Sequence, residues 1–280
     1  MRTLVLGGAG MLGKAVVADG RRRGRAVLGL GRVHADVTER AQLLRWVDEY
    51  RPELIINCAA FTLVDECETR REEALAVNGE ALENITAAAG HAGADLVHVS
   101  TDYVFNGSAT APIPEDAPTD PQSVYGLSKL RGEELALRYD RALVVRASWL
   151  FGPGGPNFAA TIRRLIGQGT NPLRVVDDQI GRPTFTPFLA RALWDLAEAK
   201  ARGVVHYGNR ERTSWHGFAS EIAHILAPEV KVLPVSTREF PRPAPRPNYS
   251  VLDVSRFEQI TSRRVEPWLS GLVAYLESRA

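Results

Sequence analysis

The chain has 280 residues, 45% of them hydrophobic, and 34 Lys and Arg against 33 Asp and Glu give a formal net charge of +1. That size buries a substantial core as one large domain or one and a half, and the balanced charge excludes a global field for nucleic acid or an anionic membrane. Two cysteines, Cys58 and Cys67, show neither metal-ligand spacing nor a disulfide framework, and the six histidines form no ligand motif, so no metal is expected. No apolar run approaches the ~18 residues of a membrane helix. No signal peptide opens the chain, and a reducing cytoplasm is the expected compartment.

Thr3-Leu4-Val5-Leu6 reads as a strand that stops at glycine, followed by Gly7-Gly8-Ala9-Gly10-Met11-Leu12-Gly13 and a helix over Lys14–Asp19. Strand, glycine turn and helix in that order mark a dinucleotide site. Gly7 permits the turn, Gly10 lets the backbone approach a pyrophosphate, and Gly13 lets helix pack on strand. Met11 and Leu12 open the helix, whose free N–H groups face the phosphates. The basic run Arg21-Arg22-Arg23-Gly24-Arg25 reads as a solvated helix end. A second strand spans Ala26–Leu30. At its end, where an acid usually meets a free ribose hydroxyl, stand Gly31-Arg32, with no acid before Asp36. Arg32 suits a 2′-phosphate, which favours NADPH with NADH as the alternative, and Asp36-Val37 sits where an adenine edge would lie.

A helix over Leu43–Tyr50 precedes the buried strand Leu54–Asn57, whose continuous apolar character suits a parallel sheet. Its end, Asn57-Cys58-Ala59-Ala60, is small enough for a dinucleotide to cross. Thr62, Asp65 and Glu66 follow on a loop into a helix around Ala74–Ala89, in which Asn78 is a polar exception serving either the sheet backbone or the cofactor. Strand Leu96–Val99 closes on Ser100-Thr101-Asp102-Tyr103, and ligands of open α/β sheets bind at such strand ends. A loop from Ala111 to Gln122 leads to Tyr125-Gly126-Leu127-Ser128-Lys129. On a helix Tyr125 and Lys129 share one face, and an ammonium beside a phenol favours the phenolate, making Tyr125 a better acid.

A fifth strand, Ala142–Arg146, completes five strand-then-helix units, which predict a doubly wound parallel sheet of Rossmann type. Residues 1–150 read as the dinucleotide domain. Residues 151–280 read as mainly a substrate portion, discontinuous because about 186–208 returns to the sheet through a helix over Phe188–Lys200 and a strand at Val204–His206. Helices are also expected over Ser214–Leu226 and Gly271–Leu276. Pro241-Arg242-Pro243-Ala244-Pro245-Arg246-Pro247 reads as a rigid loop bounding a pocket, with Arg246 facing an anionic substrate.

The glycine pattern, the Tyr-x-x-x-Lys pair and the upstream Ser100-Thr101 together resemble the extended short-chain dehydrogenase/reductases. Asn57–Glu68, Arg146–Gly152, Asn157-Phe158, Gly181-Arg182-Pro183-Thr184 and Arg246–Asp253 narrow this to dTDP-4-dehydrorhamnose reductases and related nucleotide-sugar 4-ketoreductases. The resemblance runs from residue 3 to about 268. It implies that Tyr125 protonates a C4 carbonyl oxygen as hydride arrives from the nicotinamide. It also implies that Lys129 lowers the Tyr125 pKa and holds the nicotinamide ribose, and that Thr101 bonds the same oxygen. Cys58, Ala59, Ala60, Thr62 and Ser100 would line the cofactor. Asp102, Tyr103, Trp149, Asn157, Arg182 and Arg246 would line the sugar nucleotide, with Trp149 against the sugar and the two arginines on the diphosphate. Acidic residues tied in some members to a metal-bridged dimer do not follow Trp268, so no metal is carried over; a homodimer is left open.

Two other enzymes fit the same scaffold. A 4,6-dehydratase would need a second carboxylate after Asp102, where Tyr103 stands, and a 4-epimerase usually carries a longer substrate portion. A non-catalytic NADP-binding subunit, like the regulatory subunit resembling that of methionine adenosyltransferase, would not need the complete set Thr101, Tyr125 and Lys129.

Overall fold

Five apolar runs whose alternate side chains all need cover form the centre of the computed structural model, which describes residues 1–278. In chain order the elements are β1 (Arg2–Leu6), α1 (Met11–Arg22), β2 (Ala26–Leu30), α2 (Arg40–Tyr50), β3 (Leu54–Asn57), α3 (Val64–Thr69), α4 (Arg71–Ala74), α5 (Ala81–Ala92) and β4 (Asp95–Thr101). They continue with α6 (Val124–Ala136), β5 (Ala142–Ala147), β6 (Leu150–Phe151), α7 (Phe158–Gly167), β7 (Leu173–Val176), β8 (Ile180–Gly181), β9 (Thr184–Phe185), α8 (Thr186–Glu198) and β10 (Gly203–Tyr207). The last are β11 (Thr213–Ser214), α9 (Trp215–Leu226), β12 (Val232–Val235), α10 (Ser255–Thr261) and α11 (Trp268–Glu277).

Six strands form one parallel sheet in the order β10-β5-β4-β3-β1-β2. Burial on both faces explains why β3 and β5 read as unbroken apolar runs. Val5, Ile56, Val97 and Val145 face one core with Val16, Leu193 and Trp194 of α1 and α8. Leu4, Ile55, Leu96 and Val144 face the other with Leu43, Ile85 and Leu135 of α2, α5 and α6. The chain leaves β1 for β2 on one side and crosses to β3 on the other, so the topological switch lies between the carboxyl ends of β1 and β3.

The second half is less regular. β6 pairs with β9, β8 with β11 and β7 with β12, each as a two-stranded ladder. Phe151, Phe218, Trp268, Leu272 and Tyr275 form a third core under α7, α9 and α11. The strand expected at Val204–His206 pairs with β5 in parallel. Bridges from Ile180 to Tyr249 and from Ile113 to Leu252 stitch the segment after the Pro-Arg run to both halves.

Two expectations are corrected. The helix expected over 74–89 is broken: α3 and α4 precede a π-helical turn, Leu75–Glu80, before α5 begins. Asn78 sits in that turn, where its Oδ1 accepts from Phe61 N–H (2.8 Å) and its Nδ2 donates to Phe61 O and Ser128 Oγ (3.0 Å each). A wider turn presents this side chain to both neighbours. The arginine run is only partly solvated. Arg23 bonds Asp19 (2.8 Å), Asp195 (2.8 Å) and Glu198 (3.1 Å), tying α1 to α8.

Behind α6, Arg146 of β5 is buried and forks onto Glu133 (2.7 Å at Nη2). Its Nη1 lies 3.3 Å from His206 Nε2, while His206 Nδ1 faces Ile113 O at 3.1 Å. The ring therefore donates from Nδ1 and accepts at Nε2. Burial and the Arg146 charge pull the His206 pKa down to about 3. The folded chain holds His206 neutral, while the unfolded chain takes a proton near ~6.5, so this stabilisation is complete above that pH and is lost as pH falls towards 3. His206→Gln, which can accept from Arg146 and donate to Ile113, should remain folded at neutral pH and lose less stability than wild type between those limits. Equal acid slopes in denaturant titrations of the two proteins would contradict this.

Candidate active site

The turn after β1 is built by close backbone approach. Gly7 has φ +72°, and a Cβ there would lie 2.6 Å from Ala59 N. A Cβ on Gly13 would lie 2.1 Å from Gly7 O, so α1 can start directly under the turn only with glycine at that place. The result is a cleft of about 320 Å³ at the switch point, lined by Gly7, Gly10, Arg32, Asp36, Val37, Cys58, Ala59 and Ala60 among others. Eight residues expected at a dinucleotide thus share one cavity. Ala9, Phe61, Glu73 and Val77 also line it and were not anticipated. Phe61 and Val77 come from the segment organised by Asn78, whose broken helix has no simple periodic signature.

Other expected cofactor residues stand differently. Leu12 turns its side chain into the core and can meet a ligand only through its backbone. Met11 lies against Asn157, 3.8 Å from Nδ2 to Sδ. Thr62 is exposed and outside the cleft lining. Arg32 is exposed but not free: it pairs with Asp36 (3.3 Å) and reaches Glu73 (3.7 Å). Asp36 in turn accepts from Thr38 N–H (3.0 Å) and Oγ1 (2.7 Å).

At the end of β4 Thr101 Oγ1 donates to Asp102 (3.1 Å) and accepts from Tyr103 N–H (3.2 Å), on the side of β4 where it influences the Tyr125 phenol. Tyr125 is the second residue of α6, whose N-cap is Ser123, with Gly126 N–H donating to its Oγ at 3.1 Å. Lys129 follows one turn on and is 2% exposed. Tyr103 packs edge-on against Tyr125, ring centroids 5.4 Å apart. Ser100 Oγ is buried nearby without a hydrogen-bond partner, as a group awaiting a ligand would be.

The expected acidification of Tyr125 by Lys129 is not present. Burial pushes the phenol well above its ordinary value, and the hydrogen bond with Thr101 opposes this only in part. Lys129 turns away: its Nζ donates to Val99 O (2.7 Å) and lies 3.2 Å from His98 Nε2. Burial also pulls Lys129 down to about 8, against the charge of Glu133. Burial pushes Asp102 up to about 6, against hydrogen bonds from Ser250 and Thr101.

The expected sugar-nucleotide residues separate into three kinds. Trp149 stacks on Trp215 at 3.6 Å with an interplanar angle of 6°, and its own φ is +49°. Asn157 is already engaged: its Oδ1 caps α7 from Ala160 N–H (2.9 Å), and Nδ2 donates to Gly152 O (2.9 Å) and Gly155 O (3.1 Å). These bonds close the loop ahead of α7. Arg182 has a buried Nε without a partner, and burial lowers its pKa against the Asp253 charge. Arg246 bonds Asp65 (2.9 Å) and Ala244 O (2.7 Å) through Nη1. Asp65 also accepts from Arg242 (2.6 Å) and Ala244 N–H (3.2 Å), so it anchors the Pro-Arg loop against α3. Burial of Asp65 is outweighed by these bonds, which hold its pKa below the usual carboxylate range.

A parallel sheet with a glycine cradle at its switch point, and a Tyr-x-x-x-Lys helix beside a hydroxyl at the next strand end, define a dinucleotide-dependent oxidoreductase of Rossmann type. The family model described as RmlD substrate binding domain matches residues 1–280. The dTDP-4-dehydrorhamnose reductase of Streptomyces griseus is 42% identical over 279 residues, covering 97% of this chain and 91% of that protein. A probable dTDP-4,6-dihydroxy-2-methyloxan-3-one 4-ketoreductase of Streptomyces antibioticus is 37% identical over 276 residues, 97% of this chain and 93% of its own. The crystal structure of dTDP-4-dehydrorhamnose reductase from Bacillus anthracis in complex with NADP superposes with a TM-score of 0.95 at 34% identity, over 99% of both chains. The chain belongs to the dTDP-4-dehydrorhamnose reductase family.

Arg32 offers a direct check of the cofactor. Replacing it with Ala should weaken NADPH about 10- to 100-fold, the scale of one lost charge-assisted hydrogen bond, and leave NADH nearly unchanged. Equal loss for both cofactors in a binding titration would assign Arg32 to its pairs with Asp36 and Glu73 alone.

Proposed function

We propose that this chain reduces the C4 ketone of a dTDP-4-keto-6-deoxyhexose, most directly dTDP-4-dehydrorhamnose, to the alcohol with NADPH, NADH being the alternative reductant. The observation that carries this reading is the placing of Tyr125 on the first turn of α6, one turn before Lys129, in the same cluster as Phe61, which lines the cleft shaped by Gly7 and Gly13. The glycine cradle and the unpartnered Ser100 Oγ fit a dinucleotide across β1 and β3. When bound, NADPH supplies the hydride that C4 receives.

The chain's own residues manage the oxygen and its proton. Thr101 donates a hydrogen bond to the carbonyl oxygen and keeps it within reach of Tyr125, stabilising the charge that develops there. Tyr125 gives its phenolic proton to that oxygen, completing the alcohol, and solvent returns a proton to the phenolate. A phenol kept neutral by burial starts in the donating form. Lys129 stabilises the phenolate when charged and holds the nicotinamide ribose hydroxyls. Trp149, stacked on Trp215, offers an apolar face to the sugar, and Arg182, with its buried unpartnered Nε, offers charge to the diphosphate. Arg246 contributes from a loop held by Asp65. Residues 1–150 with about 186–208 carry the cofactor, and the remainder carries the sugar nucleotide.

The position after Asp102 separates this from dehydration. Tyr103 puts an aromatic ring against Tyr125 where elimination would need a second carboxylate. The complete set of Thr101, Tyr125 and Lys129, with relatives named as reductases, weighs against a non-catalytic subunit. No helix among the described residues is long and apolar enough to cross a membrane.

Mixed with NADPH and dTDP-4-keto-6-deoxyhexose, the protein should oxidise the cofactor only when the sugar is present. Tyr125→Phe should slow turnover by about 10²–10⁴ while leaving NADPH affinity nearly intact. Folded, NADPH-binding protein without sugar-dependent oxidation would overturn the reductase reading. Near-normal turnover in the variant would place the acid elsewhere.

A further inference from the structure

Behind Lys129 lies a chain of polar groups that the reduction itself does not use. Asn57 ends β3, His98 lies in β4, and the two are register partners in the sheet. Both are buried, at 1% and 0% exposure, as is Lys129 at 2%. Asn57 Nδ2 is 3.0 Å from His98 Nδ1, and His98 Nε2 is 3.2 Å from Lys129 Nζ. At the other end, Ala59 N–H donates to Asn57 Oδ1 at 3.1 Å. Ala59 lines the dinucleotide cleft. An unbroken path of hydrogen-bonding groups therefore runs from Ala59 at the cleft wall to the buried amine of Lys129.

Donors and acceptors along this path are not independent. With Asn57 Oδ1 committed to Ala59 N–H, the amide presents Nδ2–H to the imidazole, so Nδ1 must accept. Burial and the neighbouring Lys129 push the His98 pKa well below its ordinary value, so the ring is neutral and its single proton is on Nε2. That N–H points at Lys129 Nζ, which already donates to Val99 O. Only an uncharged amine, with a lone pair, can accept it. An ammonium has donors alone and needs Nε2 as acceptor. The ring proton must then be on Nδ1, and Asn57 must turn Oδ1 towards it, releasing Ala59 N–H. Charge on Lys129, tautomer of His98 and rotation of Asn57 thus form one two-state element.

We propose that Asn57 and His98 are positioning residues that couple the charge of Lys129 to the Ala59 N–H in the dinucleotide cleft. An acceptor oxygen of a dinucleotide bound in the cleft would compete with Asn57 Oδ1 for Ala59 N–H. The amide turns, His98 moves its proton to Nδ1, and Lys129 takes up a proton from solvent. Cofactor binding would in this way create the ammonium that a Tyr125 phenolate requires, and the free site would hold Lys129 near its titration point, which burial brings to about 8. The other ionisable groups facing Lys129 do not take this role. Cys58 is pushed up to about 12 by burial and stays a thiol, Glu133 is forked to Arg146, and Tyr125 is held neutral by burial.

The inference rests on the cleft binding a dinucleotide and on Lys129 serving Tyr125, yet its test needs no turnover, so it can fail while the reductase assay succeeds and the reverse. In wild-type protein labelled with ¹⁵N-histidine, the His98 resonances, identified by their loss in His98→Leu, should report Nε2–H in free protein held above pH 8. Saturating NADP at the same pH should convert them to Nδ1–H. Calorimetry of NADP binding in buffers of different ionisation enthalpy should show proton uptake near pH 8. Asn57→Asp, which can only accept and so locks His98 as Nδ1–H, should at least halve that uptake while still binding NADP. An unchanged tautomer on binding would overturn the proposal. So would uptake in Asn57→Asp equal to wild type, which would assign the proton to the direct field of the dinucleotide.

Discussion

The site depends on a buried amine. Lys129 enters the protein on α6 with 2% exposure, and a charge in that position is costly unless fixed polar groups replace water. Val99 O and His98 supply that replacement from β4, so α6 can dock only where the sheet presents those groups. The same docking sets Tyr125 against Thr101, because one turn of helix separates the two side chains. Ser123 starts the helix at the required residue, and the Glu133–Arg146–His206 cluster fixes its far end to β5 and β10. Thr101, Tyr125 and Lys129 are thus placed by secondary structure rather than by loops.

Burial has opposite effects on the two titrating groups. It raises Tyr125 and lowers Lys129, moving each towards its neutral form. A neutral phenol is the state a proton donor should occupy before reaction, while a neutral amine gives the departing phenolate little help.

Much of this was legible in the residues. The apolar runs of β1, β3 and β5 announced a parallel sheet, and the spacing of Gly7, Gly10 and Gly13 announced the cradle, because close backbone approach demands glycine whatever surrounds it. The positions of Thr101 at a strand end and of Tyr125 and Lys129 on one helix were also legible. Long-range pairing was not legible. Nothing local tells that Asp65 holds Arg242 and Arg246, that Arg23 bridges α1 to α8, or that Asn157 closes the loop ahead of α7. The expected effect of Lys129 on Tyr125 used their separation along a helix and omitted burial, which dominates both. A histidine within the apolar run of β4 was a signal that its ring needs buried partners, but one of them, Asn57, lies 41 residues away in the sequence.

The central claim is that hydride reaches C4 of the sugar while Tyr125 protonates the oxygen on the same carbon. Turnover of a dTDP-4-keto-6-deoxyhexose with NADPH deuterated at nicotinamide C4, followed by NMR of the sugar product, tests it most directly. The account predicts one deuterium at sugar C4, transferred from one face of the nicotinamide, and a new C4 hydroxyl. Product without deuterium from either face, or with deuterium at another carbon, would contradict it.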